Sequence, residues 1–591
     1  MMRRIRFTKS LKVLLAGVLA CGTLFISNNA KAGYIYDSDG QPIESSVGLI
    51  LNTDGIYNVN STAWNGQIDA NDIKGLSDMY VYNDGKGEEV IYVVDSKSDK
   101  LFVFDKNMNF VEEVSQFEIV INRDTVQTEN DPVDANKRFT IESLSKIKTK
   151  KTNGTASESK YLAPTNDPSD TFWAKYDDNM NPEYDGELHR FYIECSGLSG
   201  VYRALRPKKD AYNVNIPGEY EDVIYLCDKN NAQILVLDAL TYEVIQVVTA
   251  PANADFASKF APTKIVTDSS GRMYIISASV YEGIILMSPR GEFMRYVGVN
   301  YTTLSFWDAF LRNFKTEEQL AQQASILSTE FNNLAIDEKG FLYTVSRGVW
   351  NAVTETTDYT KMIKKINQAG NDVLIRNGYS VPQGDLVIVK TSETASASKF
   401  AAITVNKYGV YTVADTTMGR LFTYDKEGNL LYISGGSGLE QTDISMPVAV
   451  CYQGENVLVL DAGNCAILRY EPTDFARSIN KATEYQYYGD SVAASNEWSN
   501  VIATNPNYQL AYVGVGKTLL ENGRYQEAML YFEKGDDVAY YSRAYKKYRD
   551  AILKEYFPYA MYGVLVLVGS ALVIKAVKKV KNKNGEGDEI V

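Results

Sequence analysis

The chain has 591 residues, of which 23% are charged and 45% hydrophobic, and a formal net charge of −14. That length exceeds one ordinary hydrophobic core, so two or three units are expected, and the composition excludes a mostly disordered chain. The acidic balance, with no basic block in the long middle, argues against nucleic acid as a partner.

The N-terminus reads as an address. "MMRRIRFTKSLK" is cationic, "VLLAGVLACGTLFI" is apolar, and "AKA" at 30–32 is a small-residue cleavage pattern, so 1–32 is expected to be a signal peptide. Cys21 sits in "VLAC", a weak fit to a lipidation site, and cleavage after Ala32 is the favoured reading. Residues 33–69 are a lead-in segment. Cys195, Cys227, Cys451 and Cys465 then remain. Cys451 and Cys465 lie within one repeat and could pair, or the thiols stay single and buried.

One frame recurs from here on. In "VVDSKSDKLFVFD", Asp95 closes one apolar run and Asp105 the next. "YLCDKNNAQILVLD" repeats this at Asp228 and Asp238, "TVADTTMGRLFTYD" at Asp415 and Asp425, and "LVLDAGNCAILRYE" at Asp461 and Glu471. Looser copies hold Ser277 with Ser288, and Ser346 with Asn367. Each copy reads as a β-hairpin. A further short strand precedes most copies, as in "KIVTDSSGRMYII", and another follows, as in "GNLLYISGG". Four strands per radially repeated unit make a β-propeller. Six anchors predict six blades over 70–483, interrupted by insertions at 122–190 and 297–330.

An Asp that recurs at one spacing points to turn chemistry, because a catalytic residue has no reason to appear in every blade. Asp95, Asp228, Asp415 and Asp461 are therefore assigned to structure, and Asp228→Ala or Asp415→Ala is expected to cost about 1 kcal/mol. The functional alternative is carboxylates ringing a Ca²⁺ ion. No catalytic, cofactor or metal residue is assigned. His189 is the only histidine, and "DGELHRFY" around it holds no nucleophile motif, so His-dependent nucleophilic catalysis finds no support. Glycoside hydrolysis needs only two carboxylates, and no pair stands out among 74 acidic residues.

The insertions offer surfaces instead. Trp173, Tyr176 and Tyr184 would form an aromatic platform for a sugar, or pin their loop to the propeller. Trp307, Phe310 and Phe314 share a helix face, which would be a packed flap or a partner or membrane surface.

From about 484 the apolar period changes from 2 to 3.6. In "YQLAYVGVGKTLLENGRYQEAMLYFEKG", Gly514 and Ala528 are small and Gly523 makes the turn, a pattern that resembles one tetratricopeptide (TPR) unit. Residues 484–556 are expected to be a helical stalk. "FPYAMYGVLVLVGSALVI", 557–574, has no charge and is long enough to span a bilayer. The basic tail 575–591 opens with "KAVKKVKNK" and is expected to stay cytoplasmic, with the propeller outside the cell membrane.

Over about 70–475 the repeat resembles NHL-type six-bladed propellers. With the TPR-like unit and the apolar C-terminal helix, the chain resembles a family of Gram-positive exported NHL-repeat proteins often met beside sugar-uptake transporter genes. The resemblance implies a mainly β fold: a six-bladed NHL-like propeller, a small TPR-like helical segment and one transmembrane helix. It also implies a ligand- or protein-binding scaffold associated with carbohydrate uptake, its partner a protein or a carbohydrate. The alternative is a hydrolase working in the central channel, either metal-dependent and lactonase-like or carbohydrate-active.

Overall fold

The computed structural model describes residues 34–37, 42–58, 73–121, 126–127, 139–140, 144, 147–153, 156–161, 175–176, 182–183, 188–209, 215–298, 330–351, 356–386, 388–389, 395–437 and 443–585. It divides into two compact units between Ala476 and Arg477.

The first unit is a β-propeller. Its innermost strands are β1 (Leu76–Asn83), β2 (Leu198–Lys209), β3 (Pro262–Thr267), β4 (Phe331–Ile336), β5 (Phe400–Val405) and β6 (Pro447–Gln453). Each touches the next, and β6 touches β1, so the ring closes. Antiparallel strands follow outward from each. Beyond β1 come Glu89–Asp95, Lys100–Asp105 and Phe110–Val114, with Met79 opposite Val93 and Val93 opposite Phe102. The middle strands are continuous apolar runs rather than alternating ones. Residues 91–95 are all buried, as are 101–104. A blade is packed on both faces by its neighbours, so neither face of these strands can stay polar.

Five of these sheets are discrete blades of three or four strands. This corrects the expectation of six discrete blades. The strands beyond β2 belong to an eight-stranded sheet instead. There Val244–Thr249 pairs in parallel with Phe117–Ile121, which in turn carries His189–Ile193, Lys148–Asn153 and Ala156–Tyr161. An outermost blade strand has unpaired N–H and C=O groups along its free edge, and here Phe117–Ile121 meets that edge, with Ile119 opposite Val244.

The lead-in segment also contributes. Leu49–Asn58 pairs antiparallel with Ala466–Pro472 and forms the outer strand of the β6 blade. Strands from the two ends of the propeller sequence thus share one sheet, which holds the ring shut.

The second unit is helical. The helix α1 (Asp474–Tyr488) enters it, and α2 (Ser491–Thr504), α3 (Gln509–Glu521), α4 (Tyr525–Lys534) and α5 (Val538–Gly585) follow. Asp490 caps α2 by accepting from the Ala493 N–H. The helix α3 packs on α2 and α4. Two glycines permit this: a Cβ on Gly514 would lie 2.4 Å from the Trp498 ring, and one on Gly516 would lie 2.6 Å from Phe532. Among the described residues α5 is the one helix long and apolar enough to cross a membrane, and its apolar stretch is unburied. Cys195, Cys227, Cys451 and Cys465 are free thiols.

Candidate functional site

Strand direction alternates within a blade. The start of each inner strand therefore shares one end of the ring with the turn after the second strand. The recurring carboxylates sit at this end. Asp95 accepts N–H bonds from Lys74 and Gly75 (2.8 and 2.6 Å) in the loop entering β1, and from Lys97 and Ser98 (3.0 and 2.9 Å) in its own turn. Asp415 accepts from Lys399 (2.6 Å), Thr417 (3.0 Å) and Met418 (3.0 Å). Asp461 accepts from Ser445 (2.7 Å), Met446 (2.8 Å) and Gly463 (2.9 Å). Asp228 takes the Ser196 N–H at 3.0 Å and the amides of Asn231 and Gln233 at 2.9 and 2.8 Å. All four are fully buried. Burial pushes the Asp228 and Asp415 carboxyls up, against hydrogen bonds that pull them down. Ser277, in a looser copy, accepts one N–H, from Ala261 at 2.8 Å.

Axial geometry comes from a second repeat. Every inner strand shifts register just after its first residue. The residues at the shift are Ser77, Ser199, Thr263, Asn332, Ala401 and Val448, and all six line a cavity of about 380 Å³ at the mouth of the channel. The polar ones stitch strands together. Ser77 Oγ donates to Leu198 O at 2.8 Å, Ser199 Oγ to Pro262 O at 2.9 Å, and Asn332 Nδ2 to Phe400 O at 2.9 Å, each reaching the next inner strand. Thr263 Oγ1 donates to Ile276 O within its own blade at 3.2 Å.

One position further along, the repeat breaks. Asp78 of β1 faces Lys264 of β3, with Nζ 2.6 and 2.7 Å from the two carboxylate oxygens. The Val201 N–H of β2 donates to the same carboxylate at 3.0 Å. Asp78 is 2% exposed. Its burial pushes the carboxyl up, and Lys264 works against that shift. The corresponding positions of the other inner strands hold Gly200, Asn333, Ala402 and Ala449. The channel mouth thus has a polar side on β1–β4, a buried ion pair, and an apolar side at Ala401 and Val448. Among the described residues no three His, Cys, Asp or Glu side chains are grouped as metal ligands.

Of the surface residues singled out in the sequence, Trp173, Tyr184, Trp307, Phe310 and Phe314 lie outside the described residues. Tyr176 belongs to the short strand Lys175–Tyr176, paired with Pro182–Glu183. His189 opens an outer strand of the eight-stranded sheet and stacks on Phe191, ring centroids 6.0 Å apart. Sequence reasoning passed over Ser77, Asp78, Ser199, Thr263, Lys264 and Asn332. Their signal was the short strand before each hairpin, where "LSDMY", "LSGVY", "PTKIV", "FNNLA", "FAAIT" and "PVAVC" align.

No known family and no curated protein matches the chain. Solved structures do. Virginiamycin B lyase from Staphylococcus aureus matches at 9% identity over 70% of this chain and 97% of its own, TM-score 0.33. A streptogramin B lyase matches at 11% identity over 72% and 98%, TM-score 0.32. Hydrazine synthase from Kuenenia stuttgartiensis matches at 9% identity over 68% and 97%, TM-score 0.33. Identities and scores this low carry no activity across to this chain.

Proposed function

We propose that this protein is a membrane-anchored, extracytoplasmic β-propeller that acts as a ligand- or protein-binding scaffold through the mouth end of its ring, in the setting of a carbohydrate uptake system. On this reading β2 and its three following strands serve as the sixth blade of an NHL-like propeller. A signal peptide exports the chain, α2–α4 form a TPR-like unit, and α5 holds the chain in the cell membrane with its basic end cytoplasmic.

The supporting observation is that the exit and return points of two long connections, and the polar groups of the cavity, lie at one end. The chain leaves the ring at Val114 and returns at Leu198, and leaves at Val297 and returns at Phe331, all at the mouth end. The opposite end carries mostly short turns closed by local carboxylates, such as Asp105 with the Asn107 and Asn109 N–H groups. Long connections placed on a rigid scaffold are where recognition concentrates.

Two residues discriminate the ends. Met446 is 55% exposed beside the mouth, and Leu240 is 82% exposed in a turn at the opposite end. A photo-crosslinking side chain at Met446, in intact cells, is expected to capture a membrane-transport component or its substrate. Capture confined to position 240 would overturn the reading. Protease shaving of intact cells is expected to release the propeller, and full protection would reverse the topology.

A further inference from the structure

We infer that the channel mouth takes a neutral, hydroxyl-rich small molecule, a carbohydrate of one or two rings, with one ring face against Ala401 and Val448. This rests on the mouth being the binding end. Ser77, Ser199 and Thr263 each spend their single hydroxyl hydrogen on a main-chain carbonyl. Asn332 spends an amide hydrogen the same way. A carbonyl cannot donate, so these directions follow from the partners. What the three hydroxyls can present to the cavity is therefore acceptor oxygen, while Asn332 keeps a second amide hydrogen beside its own acceptor oxygen. A ligand that fits must bring donors.

Charge narrows the class. An anion would meet this row of acceptors, and of the two lining ammoniums, Lys264 and Lys229, the first already holds both oxygens of Asp78. A cation would meet Lys264 and Lys229 in the lining, and the one lining carboxylate, Asp78, is engaged. A neutral donor-rich molecule suffers neither penalty. Ala401 and Val448 stand on β5 and β6, away from the acceptors of β1–β4. A sugar ring has the same division, hydroxyls along its rim and C–H groups on its face. The cavity, about 380 Å³, lies within the roughly 300–1,000 Å³ of small-molecule sites.

The test uses the detergent-solubilised full chain. Saturation-transfer NMR with maltose and sucrose is expected to show contact, while glucuronate shows at least tenfold weaker binding and calorimetry with CaCl₂ shows none. Ala401→Leu should abolish the sugar signal with circular dichroism unchanged. Thr263→Val, which removes one acceptor at nearly constant volume, should weaken it several-fold. Preference for glucuronate or Ca²⁺, no response to any sugar, or an undiminished signal in Ala401→Leu would each overturn the inference. The wild-type selectivity stands as a test even where a variant fails to fold. Partner capture at Met446 without sugar binding would sink this inference and leave the scaffold reading standing.

Discussion

Asp95 and Asp78 sit on adjacent strands of one blade, and both are buried. Asp95 spends its oxygens on four backbone N–H groups of nearby loops. Asp78 meets a lysine from β3 and an N–H from β2. Asp95 has counterparts at Asp228, Asp415 and Asp461, while Asp78 has none. The same side chain does the repeat's work in one place and individual work in the other. A carboxylate that ties a turn is needed wherever that turn occurs. A buried charge pair across the ring is needed once, and its desolvation makes it a poor device for stability alone. The repeated position belongs to the fold, and the unrepeated one marks where this propeller differs from a generic ring.

Several changes would break or sharpen that contrast. Lys264→Met leaves the Asp78 carboxylate buried and uncompensated, and should cost about 3–5 kcal/mol in thermal or denaturant unfolding. Asp78→Asn added to it should recover more than half, because the amide can still accept from Val201. A single-variant loss below 1 kcal/mol would mean the pair is not the clamp described. Asp95→Ala should cost about 2–3 kcal/mol, more than a single turn bond, since four donors lose their acceptor together. A loss of ligand binding at unchanged melting temperature would instead move Asp95 from fold to function.

Lys364 provides a buried charge of opposite sign. It is 4% exposed, and burial pulls its ammonium down from 10.5 to about 8. Between these values the folded chain binds fewer protons than the unfolded one, so stability rises with pH across that window. The contribution is complete above 10.5 and lost as pH falls through about 8. Lys364→Met should therefore stabilise the propeller at pH 7 by about 2 kcal/mol and flatten the pH profile from 8 to 10.5. A destabilised variant with the slope intact would contradict this. The smallest effect belongs to Asp105→Ala. That carboxylate bonds only to groups of its own exposed turn, so about 0.5–1 kcal/mol is expected.

Much of the propeller was legible in the sequence because hairpin chemistry is local. Asp95 reaches the N–H groups two and three residues on, and the runs 91–94 and 101–104 are apolar because blades cover both faces. The looser copies at Ser277 and Ser346 were legible from their buried apolar strands rather than from turn bonds. Less legible was the Leu49–Asn58 strand, whose partner Ala466–Pro472 lies at the far end of the propeller sequence. No spacing rule links strands so far apart. The merging of β2 and its following strands with insertion strands into one sheet was equally hidden, since a free edge accepts any strand that reaches it. The candidate site was missed because the search followed the most repeated residue, and the site lies one strand inward.

The sequence by itself therefore determined the repeating hairpins, the switch to helices and the apolar C-terminal stretch, all of which depend on near neighbours and periodicity. Only the tertiary structure decided how the ring closes and what its mouth presents. Ser77, Ser199, Thr263 and Asn332 share a cavity with Ala401 and Val448 because six separate strands turn the same register position toward one axis. Asp78 meets Lys264 because the ring brings β1 and β3 to either side of β2. Those encounters are set by closure, and closure is a property of the whole chain.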